Sequence, residues 1–188
     1  MAYYTNDELK ELKFKHLGKN VKISNKASIY DPEKIEIGNN SRIDDFCIIS
    51  GNVNIGSYVH ITPMCLIAGG EPGVTICDFS TLAYGVKIFS QSDDYSGYTM
   101  VNSLIPTKYK SEIFSPVIIS KHVVVGTNSV IMPGVIINEG CSFGAMTLVN
   151  KSTEAWGIYV GTPCKRIKER SKNLLVLEKS FLKEIEID

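Results

Sequence analysis

The sequence predicts an all-β solenoid: a parallel β-helix with a short N-terminal helix, one inserted loop and a C-terminal helix. Three observations predict it. Aliphatic residues recur every six positions, as Ile37, Ile43, Ile49, Ile55, Ile61 and Ile67, then Ile76, Leu82 and Ile88, then Ile119, Val125, Ile131, Ile137, Phe143 and Val149. With 44% of the chain hydrophobic, six such matches in succession arise by chance at roughly the one per cent level, and here they do so twice. Six is also too long for the roughly 3.6-residue helix period and too short for the roughly 8- to 12-residue spacing of sandwich strands. The third observation is that short segments with helical spacing flank the repeat on both sides.

The elements follow in chain order. Residues 1–20 form an N-terminal cap, in which TNDELKEL offers Thr5 or Asn6 as N-cap with acidic residues in the first turn, a helix over 6–13. Residues 21–170 form the solenoid, three hexads to a triangular coil, with each aliphatic residue pointing inward and stacked on its counterpart one coil away. The small residues that follow it, Gly38, Gly56, Ser120, Gly126 and Gly144, are expected to let the chain round the corner. AGGEPG interrupts the period once. Between Ile88 and Ile119 the hexads give way to a polar loop over 89–117, rich in Ser, Asp and Tyr, and loops of that length are usually functional. Residues 171–188 carry Leu174, Leu175, Leu177, Phe181, Leu182 and Ile185 at helical spacing, an amphipathic helix that closes the other end, with Trp156 packing the last coil against this segment.

Composition narrows the function. Twenty basic residues balance twenty acidic ones, so no global field draws the chain to nucleic acid or anionic lipid. No apolar run is long enough for a membrane span, and the polar, acidic start is unlike a signal peptide, which points to the cytoplasm. Cys47, Cys65, Cys77, Cys141 and Cys164 are odd in number and lack any CxxC pair, so reduced structural thiols are expected.

The hexads, together with VVVGTNSVIMPGVII, CSFGAMTLVNKS and YVGTPCKRIKER, resemble the left-handed β-helix acyltransferases of the hexapeptide-repeat superfamily. The resemblance covers about residues 20–170 and is strongest to polysaccharide-locus sugar O- and N-acetyltransferases and to galactoside and maltose acetyltransferases. It implies a left-handed helix, a homotrimer without a metal requirement, and acetyl-CoA as co-substrate in a groove between adjacent subunits. The acceptor it implies is a hydroxyl or amine of a free or nucleotide-linked sugar in surface-polysaccharide synthesis. Carried over by residue, it assigns coenzyme A binding to Gly126, Ser129, Ala145, Asn150, Lys151 and Lys165. Lysines suit its phosphates, and backbone groups along one edge suit a thin pantetheine arm.

In the galactoside and maltose enzymes the loop opens on a segment whose histidine is the general base; in IFSQSDDYSG, Asp93 takes that place. Acyl transfer needs a base near neutrality, and an ordinary Asp near 3.9 is about three units too weak unless burial or its neighbour Asp94 raises it. Polysaccharide-locus relatives often carry a histidine in the preceding coil, and here His60 stands just before the inward Ile61, projecting from the prism. His60 is therefore the candidate base, with Asp93 or Asp94 supporting it; the reverse assignment stays open. His16 and His122 are most simply surface residues. Ser92, Tyr95 and Tyr98 are candidate acceptor contacts, the tyrosines as stacking walls, and Glu71 at the AGGEPG corner is a further one; both aspartates could instead form turns.

Three rivals share the repeat. A γ-class carbonic anhydrase needs three converging zinc histidines, and His16, His60 and His122 lack its close pair. A sugar nucleotidyltransferase needs a nucleotide-binding domain ahead of the hexads. The third is a non-catalytic trimeric scaffold that has lost the loop histidine.

Overall fold

The structure, a computed structural model, describes residues 2–185. It is a left-handed parallel β-helix of about 7 turns with a helix at each terminus. Every pairing between successive coils is parallel, with the inward residues in register: Ile43 with Ile61, Ile61 with Leu82, Leu82 with Val125, Val125 with Phe143. This column belongs to an eight-stranded sheet along the first face of the prism. A ten-stranded sheet covers the second and third faces, because the long strands Ile48–Ile55 and Leu66–Ile76 bend round the edge between them. The inward aliphatics are essentially fully buried, and each hexad buries a second residue two positions earlier: Ser41, Cys47, Val53, Val59, Cys65, Val74, Ser80, Val86, Ser129, Cys141 and Thr147. The corner thiols donate to carbonyls, Cys47 to Thr62 and Cys65 to Ala83, and no cysteine is disulfide-bonded.

The chain turns its corners differently from the expectation. The left-handed backbone falls three residues before the aliphatic, at Asn20, Asn40, Phe46, Tyr58, Met64, Phe79, His122, Asn128 and Met146. Glycine is needed after the aliphatic for a different reason. A Cβ on Gly38 would stand 2.6 Å from the Gly56 carbonyl carbon, and one on Gly126 would stand 2.6 Å from the Ala145 nitrogen. Stacked coils approach too closely there for a side chain.

The N-terminal helix α1 spans Asn6–Glu11, capped by Thr5 in a full capping box with Glu8. The solenoid begins earlier than expected, at His16–Leu17, which pairs with Glu36–Ile37. Leu17, Ile23 and Ile29 are spaced by six, but the 3₁₀ turn at Pro32–Lys34 puts them out of phase with Ile37. The C-terminal helix α2 spans Leu174–Ile185, and the end of the expected helix, 186–188, lies outside the described residues. It does not close the prism end. It lies along the edge between the third and first faces, where Phe181 meets Tyr58 and Phe79 edge-on and Glu178 reaches Lys121 and His122. The last coil is instead completed by an antiparallel pair, Gly157–Val160 with Lys165–Glu169. Trp156 is buried there, with the Lys172 ammonium over its ring.

Candidate active site

Asp93 enters a cavity of about 550 Å³ on the second face, where the 89–117 loop folds back over the sheet. Gln91–Ser92 pairs antiparallel with Ile113–Phe114, which pinches the loop at its base and holds the residues beyond it over the prism. The floor is apolar, with Ile48, Leu66, Phe89 and Val130, and the rim is polar, with Gln91, Ser92, Asp93 and Glu112. Glu112, which the sequence reading missed, is paired with the nearly buried Lys110. Tyr95 also lines this cavity; Tyr98 lines an adjoining one of about 400 Å³ on the outer side of the loop. Both tyrosines are highly exposed in the protomer.

The two aspartates have separate jobs. Asp94 is a turn-former: its carboxylate accepts from the Ser96 and Thr99 backbone N–H groups and the Thr99 hydroxyl. Hydrogen bonding, led by Ser96, holds its carboxyl down to about 2, the opposite direction from the raised value a base would need. Asp93 faces the cavity. Glu71 lies apart, on the Lys15, Lys34 and Glu36 side of the prism, its carbonyl accepting from the Asn52 amide.

His60 is on the first face, in the outward ladder between Arg42 and Thr81. Its Nε2 is 2.8 Å from Oδ2 of Asp44, while the other carboxylate oxygen lies 2.6 Å from Nε of Arg42. Asp44 is buried and also accepts from the Tyr3 hydroxyl. Sequence reasoning missed this partner, although Asp44 occupies the position after Ile43 that in several other hexads holds glycine or serine. His60 does not line the Asp93 cavity. His122, expected at the surface, is buried: it stacks on Phe79 and binds Glu178, because α2 covers that edge. His16 is exposed.

The residues assigned to coenzyme A fall on the two edges that bound the second face. Gly126 and Ala145 stack on the edge it shares with the first face, and Lys165 joins them through its pairing with Val160, which packs under Gly144. Asn150 and Lys151 are exposed on the edge shared with the third face, after Val149. Ser129 is removed from this set. It is fully buried, its hydroxyl donates to the Gly144 carbonyl and accepts from the Thr147 N–H, and its own N–H and C=O are spent on Gly126 and Lys87. Among the described residues no group of three or more His, Cys, Asp or Glu side chains is arranged to hold a metal ion, and no helix is long and apolar enough to cross a membrane.

The prism thus carries a polar loop over its second face, with Asp93 at the rim of the cavity beneath it, and closely stacked glycines along one edge. The family model "Bacterial transferase hexapeptide (six repeats)" matches residues 34–69, and the chain belongs to the hexapeptide-repeat acyltransferases. It is 45% identical over 184 residues, 96% of this chain and 95% of the relative, to dTDP-4-amino-4,6-dideoxy-D-glucose acyltransferase of Escherichia coli. It is 28% identical over 162 residues, 84% of this chain and 80% of the relative, to the putative lipopolysaccharide biosynthesis O-acetyl transferase WbbJ of Escherichia coli K12. Among solved structures it is similar to AntD, an N-acyltransferase from Bacillus cereus in complex with dTDP and 3-hydroxybutyryl-CoA, with TM-score 0.97, 45% identity and coverage of 99% of this chain and 100% of that one. A serine-to-alanine form of AntD, in complex with dTDP-4-amino-4,6-dideoxyglucose and coenzyme A, superposes with TM-score 0.96 at 46% identity, over 97% and 98% of the two chains. The chain is thus an acyl-CoA-dependent acyltransferase acting on a sugar amine or hydroxyl, and the scaffold reading is set aside.

Proposed function

We propose that the chain transfers an acetyl group from acetyl-CoA to the 4-amine of a dTDP-linked 4-amino-4,6-dideoxyhexose, as a homotrimer with a composite site at each subunit interface. The observation that carries the acceptor is the 45% identity over 96% of this chain to an enzyme named for that sugar. The cavity's chemistry supports it: an apolar floor suits a deoxysugar methyl and a thymine ring, and the rim carboxylates suit an amine.

Asp93 holds the acceptor ammonium, Ser92 and Gln91 take sugar oxygens, and Tyr95 and Tyr98 cover the sugar. His60 of a neighbouring subunit is the base. The separation of His60 and Asp93 on two faces of one protomer supports this arrangement, since only a second prism laid alongside brings such faces together. An acceptor bound as the ammonium first loses one proton to solvent. As the amine nitrogen bonds to the thioester carbonyl carbon, His60 takes its remaining extra proton; the carbon–sulfur bond then breaks, and the imidazolium returns the proton to the leaving thiolate. The products are the amide and coenzyme A, with His60 neutral again. Gly126, Ala145 and Lys165 along one edge, and Asn150 and Lys151 along the other, serve the donor. Glu71 is left outside this scheme because it lines a different cavity from Asp93.

The test is turnover with acetyl-CoA and with 3-hydroxybutyryl-CoA, offered dTDP-4-amino-4,6-dideoxyglucose or dTDP-glucose, with the product read by mass spectrometry. Amide formation on the aminosugar alone supports the reading. Ester formation on dTDP-glucose at comparable kcat/KM overturns the amine half of it.

A further inference from the structure

We propose that Asp44 and Arg42 are positioning residues for catalysis, a buried clamp that fixes the tautomer and orientation of the His60 ring; this inference rests on His60 serving as the base. The carboxylate of Asp44 is only 2% exposed, although its residue sits on the outside of a coil. A charge held so far from water is costly unless its oxygens are well satisfied. Its oxygens divide among three donors: Oδ1 faces Arg42 Nε at 2.6 Å, with the Tyr3 hydroxyl at 3.4 Å, and Oδ2 faces His60 Nε2 at 2.8 Å. Arg42 and His60 occupy the same ladder position in successive coils, so the backbone register that stacks Ile43 on Ile61 also fixes the spacing of the two side chains around one carboxylate.

This arrangement dictates where the proton sits. A carboxylate with a guanidinium on one oxygen is an acceptor on the other, so Nε2 of His60 must carry the hydrogen and Nδ1 must carry the lone pair. Nδ1 is then the basic atom, on a ring that is 40% exposed and fixed at its far nitrogen. The same division of labour explains Arg42. Its Nε hydrogen bond occupies Oδ1 and fixes the rotation of the carboxylate, which leaves Oδ2 as the oxygen that meets and orients the ring. The groups that face His60 are Arg42 and Asp44 from the preceding coil, Tyr3 from the N-terminal segment beyond them, and the neutral Thr81 from the following coil. No hydrolytic or metal chemistry is implied, since the cluster contains one imidazole and one carboxylate.

The experiment reads the tautomer directly, by ¹⁵N NMR of the imidazoles in the full-length protein. There are only three histidines to assign, and His16→Gln identifies the exposed one without touching this cluster. In the unaltered protein His60 is expected as the Nε2–H tautomer above its titration; an Nδ1–H tautomer overturns the proposal with no variant needed. Asp44→Asn can present its amide N–H to Nε2, so it should shift His60 toward Nδ1–H and lower kcat by about 10- to 100-fold, with the acyl-CoA KM within about twofold. Arg42→Gln should lower kcat less than Asp44→Asn, with the acyl-CoA KM again within about twofold. If His60→Ala is inactive while Asp44→Asn folds, shifts the tautomer and keeps full turnover, the positioning inference is wrong and the base assignment stands. If His60→Ala keeps full turnover, the base assignment itself has failed.

Discussion

Glu178 on α2 lies 2.9 Å from Nε2 of His122 and binds the Lys121 ammonium through its other oxygen, tying the last helix to a corner of the prism more than fifty residues earlier. Burial opposes ionisation of this carboxyl, but the hydrogen bonds from Lys121 and His122 together outweigh it and hold it below the ordinary glutamate value. A carboxyl whose folded value is depressed stabilises the fold above its unfolded value near 4.3, and that contribution disappears as the pH falls through the lower folded value. Glu178→Gln should therefore cost about 1–3 kcal/mol at pH 7 and much less at pH 3. Denaturant melts of both proteins at the two pH values check it. An equal cost at both would mean that the contact is structural and not ionic.

Ser129→Ala separates the coil interior from the donor groove. The hydroxyl it removes serves the Gly144 carbonyl and the Thr147 N–H inside the prism. Leaving the buried N–H unpaired should cost about 1–3 kcal/mol of stability. The acyl-CoA KM should not move, which a titration of initial rates checks.

These two sites mark what the sequence made legible. The inward aliphatic of each hexad could be read because the prism axis accepts nothing else, and Thr5–Glu8 could be read because a capping box is local. The second inward position could not be read, since Ser41, Cys65, Ser80, Ser129 and Thr147 look polar until their hydroxyls and thiols are seen bonded to corner carbonyls and N–H groups. Leu17, Ile23 and Ile29 were hidden by the phase shift at Pro32–Lys34. Within the candidate site, the loop position of Asp93 was legible, and the structure puts that residue at the cavity rim. Asp44 was not, because its partnership with His60 spans 16 residues and exists only when one coil lies on the next. His122 was misread because no local signal shows that α2 folds back along the side of the prism instead of across its end.

Asp93 and Asp94 should respond differently to the same change. Asp94→Asn weakens the Ser96 and Thr99 contacts that shape the loop, so the acceptor KM should rise by only about two- to threefold while kcat changes little. With its carboxyl down at about 2, Asp94 stays ionised through any assay above pH 4 and adds no step to the pH profile. Asp93→Asn removes the charge that faces the cavity and should raise the acceptor KM by about tenfold. Steady-state kinetics with varied acceptor distinguish the two.

Lys165→Ala should raise the acyl-CoA KM and leave kcat much less changed, because a charge contact remote from the thioester stabilises ground and transition states alike. Lys165 shares its edge of the prism with Gly126 and Ala145, whereas Lys151 is on the other edge of the same face. If both lysines serve one coenzyme A, it spans this face or lies between two subunits. Dephospho-coenzyme A as competitor assigns the 3′-phosphate: the lysine whose loss abolishes discrimination between it and coenzyme A is the one that holds that group.

A composite site makes a quantitative prediction about mixed assemblies. His60 and Asp93 lie on different faces of one prism, so if the proposed trimer forms, each site would draw His60 from one subunit and Asp93 from its neighbour. His60→Ala and Asp93→Ala chains, each assembled alone, lack one group at every site. Co-expressed in equal amounts they assemble at random, and about three quarters of the trimers are mixed. Each mixed trimer contains one interface that pairs an intact His60 with an intact Asp93. About one third of the sites in those trimers, and so about one quarter of all sites, should therefore work. The measurement is kcat/KM for the acceptor, per subunit, of the whole co-expressed population against the two parents. Recovery near a quarter of the unaltered protein's activity supports the shared site, and mixtures no more active than the parents mean that both groups serve a single protomer or that one of them is not needed.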